Sequence, residues 1–188
     1  MFEPLPADGT EALACPQQAP APLSAFDSLG SASRYHDEIL EIADRIWLFD
    51  DLRETEISLL CAKMHCYAAR RGQVLLREGD TGDFLVIILT GDVSVIKHAH
   101  GQDKLIANVG PGAALGEMSL IDGMPRFATC IAREPTDFAV LSRSNLHDLT
   151  VLNPTLGNKV LLMLLQLLTQ RLRDTSEKLL PFITGIPI

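Results

Sequence analysis

The sequence predicts an α+β protein, with an antiparallel β-sandwich or barrel set between short N-terminal helices and one long C-terminal helix. Three observations carry this reading. Short apolar runs with period-two alternation, separated by glycine turns, fill residues 72–141. Ahead of them, Ile39, Ile42, Ile46 and Phe49 recur at three- and four-residue spacing. Behind them, a leucine-rich stretch with the same kind of spacing runs from Asn153 to about Leu179.

Residues 1–33 read as a disordered tail. Five of the eleven prolines lie in the first 22 residues, among Ala, Ser and Gly. Such a stretch buries too little apolar surface to offset its ordering entropy. From Tyr35 the helical period begins, and Asp50-Asp51 interrupts it. Glu54 to Ala62 reads as a second short helix. Arg71-Gly72 is a turn, Val74 to Arg77 a short strand, and Gly79-Asp80-Thr81-Gly82-Asp83 a loop. Phe84 to Leu89 is a continuous apolar, β-branched run, the pattern of a strand buried on both faces. After the Gly91-Asp92 turn, Val93 and Val95 alternate, His98 to Asp103 forms a hairpin tip, and Leu105, Ala107 and Val109 alternate again. Ala128 to Arg133 and Asp137 to Leu141 are two further strands. Ser144 to Leu152 is a short helix. Asn153 then caps the long helix, with Pro154 at its first position. Pro181 ends that helix, and 182–188 form a short tail.

Composition narrows the function classes. With 188 residues, 47% of them hydrophobic, the chain can build one sizeable core. Sixteen basic against 24 acidic residues leave a net charge of −8. An acidic chain gains nothing from the counterion release behind non-specific nucleic-acid binding, and no dense basic patch stands out. No run of about 18 apolar residues exists to span a membrane. No Lys or Arg precedes Arg34, and no apolar core of a signal peptide follows the N-terminus. Cys15, Cys61, Cys66 and Cys130 show no CxxC spacing, so free thiols in a reducing cytoplasm are the expectation.

The informative stretch is Gly110-Pro-Gly-Ala-Ala-Leu-Gly116-Glu117-Met118-Ser-Leu-Ile-Asp-Gly-Met-Pro125-Arg126-Phe127-Ala128-Thr129. A glycine-rich loop leaves a strand, makes a turn of helix around Met118 to Ile121, and returns through Pro-Arg into another strand. Backbone N–H groups at such a turn suit an anion. Arg126 adds a permanent positive fork for two phosphate oxygens. Glu117 accepts hydrogen bonds only, which suits a ribose hydroxyl.

This stretch resembles the phosphate-binding cassette of the cyclic nucleotide-binding domain family, in its catabolite activator-like form. The resemblance runs from about Ile46 to Leu179. It implies a β-roll, or jelly-roll barrel (a double-stranded β-helix), over residues 34–181, with a dimerisation helix at 154–179. It also implies roles: Arg126 on the cyclic phosphate, Glu117 on the ribose 2′-hydroxyl, and the amides of Gly116, Phe127 and Ala128 completing a cradle beside Met118. Phe127 departs from the pattern, because the family commonly has Ser, Thr or Ala after the arginine. Phe127 keeps the backbone donor and lacks the hydroxyl that cGMP-preferring members use, so the implied ligand is cAMP, with cGMP less favoured. The contrary possibility is a Glu117–Arg126 salt bridge in a degenerate, ligand-free domain.

Leu161, Leu165, Leu168, Leu172, Thr175 and Leu179 repeat at spacing 4-3-4-3-4, almost three heptads. Val160, Leu164 and Leu167 form a second apolar flank. A helix greasy on two sides needs two covers. One is its own barrel; the other implies a second copy in a two-fold homodimer. Arg171-Leu172-x-x-Thr175-Ser176 is similar to the adenine-contacting stretch of the catabolite activator's dimer helix. That likeness implies that Thr175 reads adenine within its own subunit and Ser176 reads it from the partner.

Other signals are weak. His98-x-His100 has the spacing of a metal pair but no nearby third ligand, so no metal is expected. Gly110-x-Gly112-x-x-x-Gly116 misses dinucleotide spacing. There is no GxSxG, HExxH or catalytic triad, so no enzyme is expected. The chain also stops too soon for a winged helix-turn-helix. The sequence therefore predicts a stand-alone bacterial cAMP sensor that acts on an unknown downstream protein, without touching nucleic acid or membrane. The rival readings are the sensing half of a transcription regulator and a dimerising module with a vestigial pocket.

Overall fold

The computed structural model describes residues 23–99 and 101–183. Nine strands form two antiparallel sheets. They are β1 (Asp27–Ser31), β2 (His65–Ala69), β3 (Val74–Leu76), β4 (Phe84–Ile88), β5 (Val93–Ala99), β6 (Gln102–Val109), β7 (Ala114–Leu115), β8 (Thr129–Ala132) and β9 (Thr136–Ser142). One sheet runs β1-β2-β9-β4-β7, the other β3-β8-β5-β6. Five helices accompany them: α1 (His36–Glu41), α2 (Glu54–Cys61), α3 (Glu117–Asp122), α4 (Arg143–Leu152) and α5 (Pro154–Ile183). This is the expected antiparallel jelly-roll with N-terminal helices and a long C-terminal helix.

Strand β4 shows how period two builds two cores at once. Val86 and Ile88 point between the sheets, where they meet Leu75, Leu76, Val93, Cys130, Phe138 and Val140. Leu85 and Ile87 point the other way, into a helical core with Ile39, Ile46, Leu60, Leu149, Leu156, Val160 and Leu164. All four β4 residues are fully buried, as the continuous apolar run requires. The register with β9 keeps the two sets apart, pairing Val86 with Val140 and Ile87 with Ala139.

Four expectations are corrected. The tail does not extend to residue 33. Leu23–Ala25 is a 3-10 turn, and β1 adds to the edge of the first sheet beside β2. Phe26 is buried edge-on against Phe138 at 5.2 Å, and Ala32 is wholly buried, so this stretch gains enough apolar contact to order. The tail expectation for residues 1–22 falls outside the described residues. The period from Tyr35 to Phe49 is not one helix, because α1 ends at Glu41 and two 3-10 turns follow, Ala43–Arg45 and Trp47–Phe49. Ile39, Ile46 and Phe49 are nonetheless buried, because short turns keep the three-residue repeat. Strands β2 and β7 have no clear signal in sequence. The first alternates weakly in hydropathy, and the second has only two residues.

The fourth correction concerns the end of α5, which runs through Pro181 to Ile183. A proline removes one N–H donor. This near the end it costs a single hydrogen bond, to the carbonyl four residues back, and the helix runs only two residues further. At its start, Asn153 Oδ1 accepts from Leu156 N at 3.2 Å, as its capping role predicts. No helix among the described residues is long and apolar enough to cross a membrane.

Candidate functional site

The loop from β7 to β8 builds the site. Gly116 leaves β7 with φ 78°, a left-handed conformation that L side chains rarely adopt, and so turns the chain directly into α3. Gly123 closes α3 in the same way. The chain then returns through Pro125 and Arg126 to β8.

Arg126 is fixed by its backbone. Its N–H donates to Asp80 O at 2.8 Å, and its carbonyl accepts from Gly79 N at 2.9 Å. The loop between β3 and β4 therefore clamps the arginine from outside. The residue is 4% exposed. Its Nη1 donates to Gly116 O at 2.9 Å, and its guanidinium carbon lies 4.5 Å from the centre of the Phe84 ring. Its Nη2 is buried without a partner. Burial pushes this guanidinium below its ordinary pKa, while nearby acidic groups partly oppose the shift. A Cβ on Gly82 or Gly116 would overlap the guanidinium, so both glycines make room for it. Sequence alone assigns Gly82 no role; its place in a Gly-Asp-rich loop facing the cassette is the signal available there.

Glu117 is 1% exposed. It does not pair with Arg126. Its Oε1 accepts from Arg171 Nη1 at 2.5 Å, while Arg171 Nη2 donates to Ala114 O at 2.6 Å. The Glu117–Arg126 bridge is therefore replaced by a link between the cassette and α5. The cause is geometric: the Arg126 fork turns to the Gly116 carbonyl, and Arg171 comes in from the helix. In sequence Arg171 opens the adenine-contacting likeness but has no role of its own there. A basic residue one helical turn before Thr175 is the signal for it.

Phe127 does not plug the pocket; it is 54% exposed. Its carbonyl accepts from Lys97 Nζ at 2.7 Å, and the same ammonium lies 4.5 Å from its ring centre. Lys97 also donates to Glu78 Oε1 at 2.7 Å, and Glu78 Oε2 accepts from His98 N at 2.9 Å. The end of the cassette is thus strapped to β5.

Gly116, Glu117, Met118, Arg126, Phe127 and Ala128 line one pocket, and Arg171 joins them. Cys130 lines the same pocket, with burial pushing its thiol up to about 12. Thr175 and Ser176 are not brought to it. Both are exposed, and their hydroxyls donate back to Arg171 O and Leu172 O at 2.8 Å. His98 Nδ1 lies 2.8 Å from Asp103 Oδ1, and His100 falls outside the described residues. No group of three His, Cys, Asp or Glu side chains among the described residues could hold a metal ion.

Fold and loop together define an antiparallel jelly-roll domain of the catabolite activator-like class. The profile of the family described as "Cyclic nucleotide-binding domain" matches residues 68–151. A crystal structure of a cyclic nucleotide-binding domain from Methylobacillus flagellatus KT is 54% identical, covering 83% of this chain and 88% of that one, with a TM-score of 0.75. The "Cyclic AMP receptor protein" of Thermus thermophilus is 31% identical over 70% of this chain and 60% of its own length. The crystal structure of the Thermus thermophilus catabolite activator protein superposes with a TM-score of 0.65 at 31% identity, over 71% of this chain and 61% of that one. The chain belongs to the cyclic nucleotide-binding domain family. It spans about 60% of the length of the Thermus relative.

Proposed function

We propose that this chain is a cAMP sensor that works as a homodimer, without catalysis, in a reducing cytoplasm. The observation that carries this reading is the buried, unpartnered Nη2 of Arg126. A permanent positive charge held out of water is costly unless an anion meets it. A cyclic phosphodiester supplies one negative charge and oxygens for a two-pronged bond. Glu117, with Oε1 taken by Arg171, has Oε2 for the ribose 2′-hydroxyl. The amides of Gly116, Phe127 and Ala128 complete the cradle. Phe127 offers no hydroxyl to a guanine edge, which favours adenine over guanine. The thiols of Cys61, Cys66 and Cys130 are free, in keeping with a reducing compartment.

Arg171 supplies the output path, because it ties α5 to the residue that meets the ribose. A ligand shifts α5 only by binding one arrangement better than another, and a ribose bond to Glu117 that alters its hold on Arg171 is such a difference. Thr175 and Ser176 stand about one turn beyond Arg171; in the homodimer Thr175 would turn to its own subunit's adenine and Ser176 to the partner subunit's. Isothermal titration tests the reading. cAMP binds the wild type, and Arg126→Ala weakens binding more than about tenfold, a loss of roughly 1.4 kcal/mol or more. No heat with the wild type sinks it. Equal melting with and without nucleotide would leave a dimerising module with a vestigial pocket.

A second reading, supported by the likeness to a relative described as a CRP-like cAMP-activated global transcriptional regulator, is the sensing half of a transcription regulator. An in-frame helix-turn-helix in the coding sequence downstream would replace the first reading with this one.

A further inference from the structure

We infer that Phe127 is the platform on which the ligand's base stacks, so the pocket selects purine cyclic nucleotides by ring area. The inference rests on the reading of this pocket as a cyclic nucleotide site. Three features support it. First, Phe127 lines the pocket and is 54% exposed, beside Met118 at 43%. The pocket thus pairs charged groups for an anion with an apolar flat surface that the chain leaves open. Second, Lys97 holds this surface still. Its ammonium binds the Phe127 carbonyl at 2.7 Å and sits over the ring at 4.5 Å, while Glu78 anchors the ammonium. Lys97 is not among the residues that line the pocket. A ring held by a cation on one face leaves little freedom for a ligand to remove. Third, a base is the flat apolar portion of a nucleotide, and Phe127 directly follows the arginine whose unpartnered nitrogen calls for the phosphate.

Phe127 has no side-chain donor or acceptor, so its ring reads the π-face of a base and not its edge. A fused two-ring purine covers more of it than a single-ring pyrimidine. Base–aromatic contacts of this kind are sequence-tolerant and sizeable.

The test is a titration of cAMP, cGMP, cCMP and cUMP into the wild type, Phe127→Ala, Phe127→Leu and Phe127→Trp. Both smaller variants lose about tenfold or more for the two purine ligands and under about threefold for the pyrimidines. Phe127→Trp keeps purine affinity. In a Trp47→Phe background, which removes the one native tryptophan, cAMP quenches its fluorescence. Leucine matching phenylalanine would show that bulk alone matters and would overturn the inference. So would equal losses for purines and pyrimidines. Wild-type binding that needs Arg126 but is unchanged in Phe127→Ala overturns stacking alone. Failure of every nucleotide to bind the wild type overturns the site reading with it.

Discussion

Arg171, deep in the C-terminal helix, donates to Glu117, the first residue of the cassette helix, across 54 positions of sequence. The carboxylate side chain is 2% exposed and the guanidinium 40%. Beyond Leu164, the described side chains of α5 include no buried one, so this bond is where the distal half of the helix meets the barrel. Arg171→Ala leaves a buried carboxylate without its partner and frees that half. We expect a loss of about 1–3 kcal/mol and faster proteolysis after Leu168. Arg171→Ala and Glu117→Gln combined should cost less than the sum of the two. Thermal melts of the four proteins in that cycle check it, and additive losses would mean the bond carries no coupling.

On the proposed function, Arg126 is placed for a ligand at the expense of the fold. Its Nη2 is buried without an acceptor, so removing the group relieves a desolvated charge. Arg126→Leu should therefore melt within about 1 kcal/mol of the wild type, or above it, while cAMP binding is lost. Gly82→Ala gives the same functional result by another route. The new Cβ occupies the guanidinium's place and drives it out. A Gly82→Ala protein that binds cAMP normally would show that the position of the arginine is not critical.

The parts of the fold legible in sequence are those with strong periods. Phe84 to Leu89 announces a strand buried on both faces, and Val160 and Leu164 announce the inner side of α5. Gly116, Glu117, Arg126 and Ala128 can be placed together because their spacing is local. Contacts between distant segments are not legible. Arg171 meets Glu117, and Lys97 meets Phe127, only after the sheets have folded, and no local pattern encodes either pair. Residues 23–33 read as tail because their composition is loop-like, yet one buried ring, Phe26, outweighs it. In sequence Phe127 is only a departure from the family pattern, because the lysine that holds its ring is 30 positions away.

The strap behind Phe127 should weaken in acid. Burial raises the pKa of Glu78, but the hydrogen bonds from Lys97 and from His98 N, with the lysine's charge, outweigh burial and leave it below its ordinary value of 4.5. A carboxyl depressed in the folded state contributes stability above its unfolded pKa and loses it as the pH falls through the folded one. The wild type should accordingly be more stable than Glu78→Gln at pH 7, with the gap closing as the pH drops below 4.5. Melting temperatures of both proteins across that range check the sign. A gap that persists unchanged in acid would mean that the Lys97 bond does not need the charge.

The outer side of α5 carries the last expectation. Leu165, Leu172 and Leu179 follow each other at seven-residue spacing and are 57%, 67% and 50% exposed. On the opposite side, Leu156, Val160, Met163 and Leu164 are buried in the helical core. The covered side explains how α5 docks, and the open seam has no cover among the described residues. A second copy related by a two-fold axis would bury each leucine for about 1 kcal/mol or more. We expect sedimentation to show a dimer and Leu172→Glu to convert it to a monomer. Because Leu172 is two-thirds exposed, the monomer should keep its cooperative melt. If Ser176 reads adenine from the partner, that monomer also loses cAMP affinity while retaining the Arg126-dependent part. A wild type that sediments as a monomer at tens of micromolar would leave α5 without a partner, and the transmission path would then have to end at Arg171.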